Sequence, residues 1–242
     1  MRFSEKISIV PAALLTLFLA ILLVPPPARG DVKNGNDPRI LWAFGAMQAS
    51  SRQPRAVPVT SGMVLRSGDK LKMMIRIRDK CFVYLIHKDS QGNFSMLFPY
   101  SPRQFDSACR VDRSYYVPEG DAWFQLDKRT GKETFYLIAS DQRLLDIEYT
   151  YQKYVSSKGA NDKQNLAGEM LSELDGLTLH HFASSSRAGE SSGQGELVRG
   201  FERAEGADPT DITRLAREIS FNNIYSQTFV IDHRRAGESV NR

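Results

Sequence analysis

The stretch KLKMMIRI at residues 70–77 and the apolar run CFVYLI at residues 81–86 decide the fold class of this chain. In the first stretch, apolar residues at every odd position alternate with mostly basic ones, a period of two that places one row on a core and the other in water. The second run is apolar on both faces, which is typical of a strand that is covered on both sides. A turn cluster at residues 89–93 and an apolar segment at residues 94–98 then predict a hairpin.

Further strands are predicted where short apolar runs recur between turns, at residues 115–117, 123–126, 134–139 and 224–231. This spacing favours antiparallel hairpins over alternating strands and helices. The predicted fold class is mainly β, within an α+β fold. We expect an antiparallel β-sandwich or barrel-like core with two or three peripheral helices.

The helices are predicted from apolar residues that recur every three or four positions. Residues 144–155 fit either a helix or a strand, and the helix is favoured. A second helix is predicted to end at Gly176, and a third to run from Asp208 through Ile219. Between them, the stretch at residues 183–196 is rich in Ser and Gly, so we expect a disordered loop there.

The amino terminus has the three regions of a secretory signal peptide: basic residues, a long apolar stretch, and small residues before a cut near Gly30 and Asp31. Residues 1–30 are therefore predicted to be removed. Residues 31–60 follow as an N-terminal segment and connector, and residues 61–242 as a single β-rich domain. The expected location is periplasmic or extracellular. An uncleaved leader is the alternative, and it would act as a membrane anchor.

Cys81 and Cys109 are the two cysteines of the chain. A thiol pair in an oxidising compartment usually ends as a disulfide, so the sequence predicts a structural disulfide between them. The bond would close a loop of about 29 residues and add on the order of 3 kcal/mol in the chain-entropy model. The alternative is that each thiol is buried separately as a small hydrophobic group.

The charges of the chain are nearly balanced, with 32 Lys plus Arg against 28 Asp plus Glu and a net charge of +4. This small excess does not indicate a nucleic-acid partner. Lys72, Arg76 and Arg78 nevertheless share one side of the first strand, where they could bind an anion such as a polysaccharide, lipopolysaccharide or nucleic acid. The alternative is a solvated strand face whose charges protect against edge pairing.

The histidines and carboxylates show no recognisable catalytic or metal motif. The histidines are His87, His180, His181 and His233, and their spacing does not fit a metal site, so no metal or cofactor is expected. His87 ends an apolar strand and is predicted to lie at its rim. The nucleophile motifs of common hydrolases are absent as well. The fold could still gather two carboxylates for hydrolysis, which no sequence spacing reveals.

Two short motifs in the middle of the chain resemble those of a known family. Their residues are Ser67, Gly68, Asp69, Leu97, Phe98 and Pro99. With the Val-Pro pair at residues 117–118 and the GKETFYLIAS run at residues 131–140, they resemble the bacterial "domain of unknown function 4384" family over residues 61–145. The resemblance implies a small β-rich module of exported proteins, also found appended to kinases and caspase-like peptidases, with no established reaction.

The first motif is expected to have a structural role, because Gly68 permits a positive φ and Asp69 accepts N–H bonds of a turn. The expected function is that of an exported, non-catalytic binding or interaction module of the bacterial cell envelope. Its partner would be an envelope protein or a polysaccharide. Two alternatives stay open: a periplasmic hydrolase that uses carboxylates gathered by the fold, and a membrane-anchored accessory subunit of an envelope complex.

Overall fold

A computed structural model describes residues 37–101, 103–104, 109–187 and 208–238. The predicted leader and its cut site lie outside these residues, as do positions 188–196 of the predicted loop. The strands are β1 (Arg39–Met47), β2 (Ala56–Pro58), β3 (Val64–Arg66), β4 (Lys70–Ile77), β5 (Phe82–Lys88), β6 (Phe94–Phe98), β7 (Ser114–Val117), β8 (Phe124–Gln125), β9 (Gly131–Ser140), β10 (Arg217–Ser220) and β11 (Ile224–Arg234). The helices are α1 (Leu145–Ser156), α2 (Ala160–Arg187) and a 3₁₀ turn, Ile212–Leu215.

The strands form two sheets that pack face to face as a sandwich. Sheet A has the order β10-β1-β4-β7, with β2 also paired to β1 and β8 to β4. Sheet B has the order β3-β11-β9-β5-β6. Every pair is antiparallel except β3 with β11, which is parallel. The predicted class, a mainly β fold with a sandwich core and peripheral helices, is confirmed.

The core between the sheets is built from alternate residues of each strand. Phe44 of sheet A contacts both Phe135 and Phe229 of sheet B edge to face, with ring centroids 5.1 and 5.2 Å apart. Odd-numbered residues of β4, including Met73 and Ile75, are buried in the same core. The period of two in the sequence therefore identified the inner face of β4 correctly.

The outer face of sheet B packs against the two helices. Tyr84 and Ile138 lie in one apolar cluster with Ile147 of α1 and with Met170 and Leu174 of α2. Residues of β5 thus alternate between the inter-sheet core and the helix layer, which explains why the run at residues 82–86 is apolar throughout. The prediction of a strand covered on both faces is confirmed.

A buried hydroxyl connects the helix layer to sheet B. Tyr84 donates a hydrogen bond to Glu148 Oε1 at 2.8 Å and accepts one from the backbone N–H of Leu144 at 2.9 Å. Arg143 also pairs with Glu148, at 2.8 Å. Burial raises the pKa of Tyr84 above its usual range, so the hydroxyl keeps its proton and remains a donor. These bonds fix the start of α1 on the sheet.

The ends of the predicted helices differ from the structure. The helix expected to end at Gly176 continues to Arg187, so the start of the predicted loop at residues 183–196 is helical. Its apolar stripe does not stop at the glycine, because Leu177 packs against the same cluster as Leu174. A glycine ends a helix where it adopts a left-handed conformation, and Gly176 does not adopt one.

The prediction of a third helix from Asp208 through Ile219 is wrong. Asp211 accepts a hydrogen bond from Thr213 N at 2.9 Å and begins a single 3₁₀ turn instead. The chain then extends as β10 and pairs with β1, with Ile219 opposite Ile40. The spacing of the apolar residues fits a helix, but it also fits a turn that covers sheet A followed by an edge strand. Pairing with β1 decides in favour of the strand.

The N-terminal segment supplies two strands of sheet A. β1 lies between β10 and β4, and nearly all of its residues are buried. Its inner residues, such as Phe44, face sheet B, while Leu41 and Ala43 pack against Ile212 of the 3₁₀ turn. Because both faces are covered, the segment lacks an alternating pattern in the sequence. The compact unit accordingly begins at Asp37.

We predict that Tyr84→Phe lowers the free energy of unfolding by about 1–3 kcal/mol, since it leaves the Leu144 N–H without its acceptor and removes a donor to Glu148. Tyr136→Phe is the matched control. Tyr136 lies in the same cluster, but its hydroxyl makes no comparable bond to a helix among the described residues. Urea unfolding measures both variants, and equal losses would contradict the role of the Tyr84 hydroxyl.

Candidate functional site

A cleft of about 300 Å³ opens at the end of the sandwich where β5 ends and β9 begins. His87, Glu133 and His233 line it, and the exposed ring of Phe124 and the side chain of Arg129 also border it. All three titratable side chains come from sheet B. The cleft is therefore an extension of the inter-sheet core at a point where its apolar residues give way to polar ones.

Strand alternation places these three side chains together. Each lies two positions beyond a core residue on the inner face: His87 after Leu85, and His233 after Ile231. Glu133 likewise lies two positions before Phe135 on β9. Since β9 pairs with both β5 and β11, the register sets Glu133 diagonally between the two histidines.

Short distances link the side chains into a chain of polar groups. Nε2 of His87 lies 2.8 Å from Oε2 of Glu133, and Nδ1 of His233 lies 3.8 Å from Oε1 of the same carboxylate. Nε2 of His233 lies 3.1 Å from Oγ of Ser67. The side chains of Glu133 and His233 are only 8% and 1% exposed. A buried carboxylate is thus held between two imidazoles.

The carboxylate determines where the protons sit. Glu133 can only accept at the short contact, so Nε2 of His87 carries a hydrogen and donates it. Nδ1 of His233 is buried and has no hydrogen-bond partner among the described residues, but it faces the other carboxylate oxygen. A hydrogen on Nδ1 is the tautomer that this charge favours. Nε2 of His233 is then free to accept the hydroxyl hydrogen of Ser67.

The first family motif positions Ser67. Because β3 runs parallel to β11, Ser67 follows β3 beside His233, and its backbone N–H donates to the carbonyl of Arg234 at 2.9 Å. Gly68 has a φ of +96°, and buried Asp69 accepts hydrogen bonds from Arg66 N and Ala49 N, each at 2.8 Å. The expected turn roles of Gly68 and Asp69 thus match the geometry, whereas the histidine partner of Ser67 was not anticipated.

The second family motif lies beside the cleft of His87, Glu133 and His233. Leu97 lines the cleft, and Phe98 is fully buried in the inter-sheet core. Pro99 follows a cis peptide bond that ends β6. The second motif thus borders the cleft, whereas Ser67 and Gly68 of the first motif line a neighbouring hollow.

The three basic residues of the predicted strip are Lys72 and Arg76 of β4 and Arg78 directly after it, and each makes contacts within the protein. Arg78 pairs with Asp112 at 2.7 Å and with Glu218 at 3.4 Å, and Arg76 donates to the carbonyl of Asp112 at 3.1 Å. The predicted anion-binding strip is therefore not a row of free charges. Its residues fasten the loop before β7 and the strand β10 onto sheet A.

Lys72 departs furthest from the expectation of a solvated side chain. It is buried, and its Nζ donates to the carbonyl of Gly120 at 2.6 Å. The ammonium lies over the rings of Tyr116 and Trp123, at 5.3 and 5.8 Å from their centroids. Burial lowers the pKa of Lys72, because desolvation disfavours the charged form.

Cys81 and Cys109 are both free thiols in the structure, so the predicted disulfide is not present in it. Both side chains pack against the inter-sheet core, Cys81 as a buried residue and Cys109 as a partly buried one. Burial raises the pKa of Cys81 to about 12 and that of Cys109 to about 11. Packing of this kind matches the alternative in which the thiols act as small hydrophobic groups.

The described part of the chain lacks two kinds of feature. No group of three or more His, Cys, Asp or Glu side chains there is arranged to hold a metal ion. None of the helices described is both long enough and apolar enough to cross a membrane.

The fold and the cleft define a two-sheet α+β sandwich with a histidine–carboxylate site at one end. Residues 64–143 match the model of the family described as "Domain of unknown function (DUF4384)", which confirms the resemblance seen in the sequence. The matched stretch contains Ser67, His87 and Glu133, whereas His233 comes from β11 beyond it. Comparison with curated proteins and with solved structures found no match.

The pairing of Ser67 with His233 was hidden by a sequence separation of 166 residues. A signal for the rest of the cleft does exist in the alternation. Two residues before Phe135, the next inner-face position of β9 is Glu133, an acidic residue at a position that faces the core. The same step along β5 reaches His87, whose place at the strand rim was predicted.

We predict that the free energy of unfolding of the wild type, relative to that of Lys72→Met, increases with pH. Because the folded pKa of Lys72 is lowered, the unfolded chain binds more protons between that value and the usual pKa of about 10.4. Stability from this group therefore rises with pH across that window. Urea unfolding of both proteins between about pH 7 and about pH 10 measures the difference. A difference that stays constant or falls would contradict the lowered pKa.

Proposed function

We propose that this chain is an exported binding module of the bacterial cell envelope, whose ligand enters the cleft of His87, Glu133 and His233. The observation that carries the proposal is the buried Glu133 carboxylate, held between two imidazoles where the sandwich opens. Burying an ionised group costs several kcal/mol unless its partners compensate. Apolar residues would close this end at lower cost, so the polar arrangement supports a role in recognition.

The border of the cleft supports a polysaccharide as the ligand. The Phe124 side chain is exposed at this border, where it suits stacking on an apolar sugar face. Asp127 and Arg129 border the same opening and supply an acceptor and donors for hydroxyl groups. A ring face beside a few fixed polar groups is the usual composition of a small-molecule site.

Export and the disulfide form the second part of the proposal. The three-part leader supports export, and export supports oxidation of Cys81 and Cys109. Both thiols pack against the same core cluster, which supports a bond between them. An uncleaved leader would instead support the membrane-anchored accessory subunit.

We predict that the exported protein begins at or near Asp31 and carries one Cys81–Cys109 linked peptide pair. Mass spectrometry of periplasmic or secreted material, digested without reductant, measures both features in one sample. An amino terminus at Met1 on a membrane-bound form would contradict cleavage. Two alkylatable thiols after denaturation would contradict the bond.

We predict that the protein sediments with polysaccharide isolated from the envelope of its host, and that Phe124→Ala and Glu133→Gln weaken this binding at least about tenfold. Such a loss corresponds to about 1.4 kcal/mol of binding free energy. Asp121→Asn is the control, since Asp121 is an exposed carboxylate at a different surface hollow. Equal binding by all four proteins would contradict the cleft as the site. Release of new reducing ends would instead favour the hydrolase.

A further inference from the structure

We propose that Ser67 is an activated nucleophile, with His233 as its general base and Glu133 as the residue that orients the base. In this role the chain would hydrolyse a carboxylic ester. This inference goes beyond the binding function, which requires Glu133 but not Ser67. The two proposals can therefore fail separately.

The geometry of Ser67 and His233 is that of a nucleophile and its base. Oγ of Ser67 lies 3.1 Å from Nε2 of His233, within the reach that proton transfer requires. The competing acceptor for the hydroxyl, the carbonyl oxygen of Arg234, lies farther away at 3.5 Å. The hydroxyl hydrogen therefore points to the imidazole in preference to the backbone.

Glu133 supplies the third group of such a site. Its carboxylate lies on the Nδ1 side of His233, opposite the side that faces Ser67. It favours a hydrogen on Nδ1, and it stabilises the imidazolium that forms once Nε2 takes a proton. The separation of 3.8 Å is longer than a hydrogen bond, as is common in sites without a bound substrate. His87 holds the other carboxylate oxygen in place at 2.8 Å.

A second hollow, of about 710 Å³, gives access to Ser67. Lys128 and Arg235 line it together with Ser67. The backbone N–H groups of Ser67 and Gly68 already donate to the carbonyls of Arg234 and Leu126, so they do not form an oxyanion site. Stabilisation of a developing oxyanion falls instead to the two cationic side chains. In the proposed reaction the carbonyl oxygen of the ester would face Lys128 and Arg235.

The proposed reaction proceeds in two balanced steps. Oγ of Ser67 attacks the ester carbonyl carbon while its proton passes to Nε2 of His233. The C–O bond to the alcohol then breaks, and the departing oxygen takes that proton, which leaves an acyl ester on Ser67. Water attacks the acyl ester with His233 again as base, so that the carboxylic acid is released and the Ser67 hydroxyl is restored.

A fluorophosphonate probe tests the nucleophile directly, because it forms a covalent adduct with activated serines. We expect the adduct of the purified full-length protein to map to Ser67 by peptide mass spectrometry. Ser67→Ala should abolish labelling, and His233→Gln should slow it by at least about 100-fold. Ser51→Ala is the control, since this exposed serine borders a different surface hollow, and it should label at the wild-type rate.

No adduct on the wild type, an adduct on another serine, or unchanged labelling of His233→Gln would overturn the proposal. The mapping on the wild type remains decisive even where a variant fails to fold. The role of Glu133 is tested with p-nitrophenyl acetate. Glu133→Gln should lower kcat on the order of 100-fold with little change in KM. An unchanged kcat would exclude Glu133 as a positioning residue. Labelling of Ser67 in the wild type does not depend on polysaccharide binding, so it separates a failure of this proposal from a failure of the binding proposal.

Discussion

Sheet B is packed between sheet A on one face and two helices on the other, and the rest of the structure depends on this double coverage. It requires both faces of β5 and β9 to be apolar. On β5, for example, Tyr84 faces the helices and Leu85 faces the core between the sheets. It also determines where polar side chains can occur on the inner face. On β5, β9 and β11, imidazole and carboxylate side chains occupy this face where the strands reach the end of the sandwich, and there the register brings His87, Glu133 and His233 together.

Strands with a period of two or with continuous apolar character could be predicted from the sequence, because their burial is one-sided or complete. β10 could not, since the spacing of Ile212, Leu215 and Ile219 fits a helix as well as a turn followed by a strand. β1 is also covered on both faces, but no Gly/Asn turn cluster follows its apolar run as one follows β5, and such a run alone fits a helix as well as a strand. In each of these cases a tertiary partner, not the local sequence, determines the structure.

The candidate site was predictable only in part. His87 at the strand rim and the turn role of the Ser67–Asp69 motif follow from local pattern. The contact between Ser67 and His233 depends instead on the parallel pairing of β3 with β11, which local sequence does not encode. Likewise, the basic residues of β4 look free in the sequence, but partners such as Asp112 and Gly120 come from distant loops.

The Glu133 carboxylate favours a hydrogen on Nδ1 of His233 and leaves Nε2 to accept from Ser67. Nitrogen-15 NMR of the imidazole ring tests this tautomer most directly, because protonated and unprotonated ring nitrogens have distinct chemical shifts. In the neutral imidazole of His233 we expect Nδ1 to be protonated and Nε2 unprotonated, and Glu133→Gln should weaken this preference. A hydrogen on Nε2 in the wild type, donated to Ser67, would contradict it.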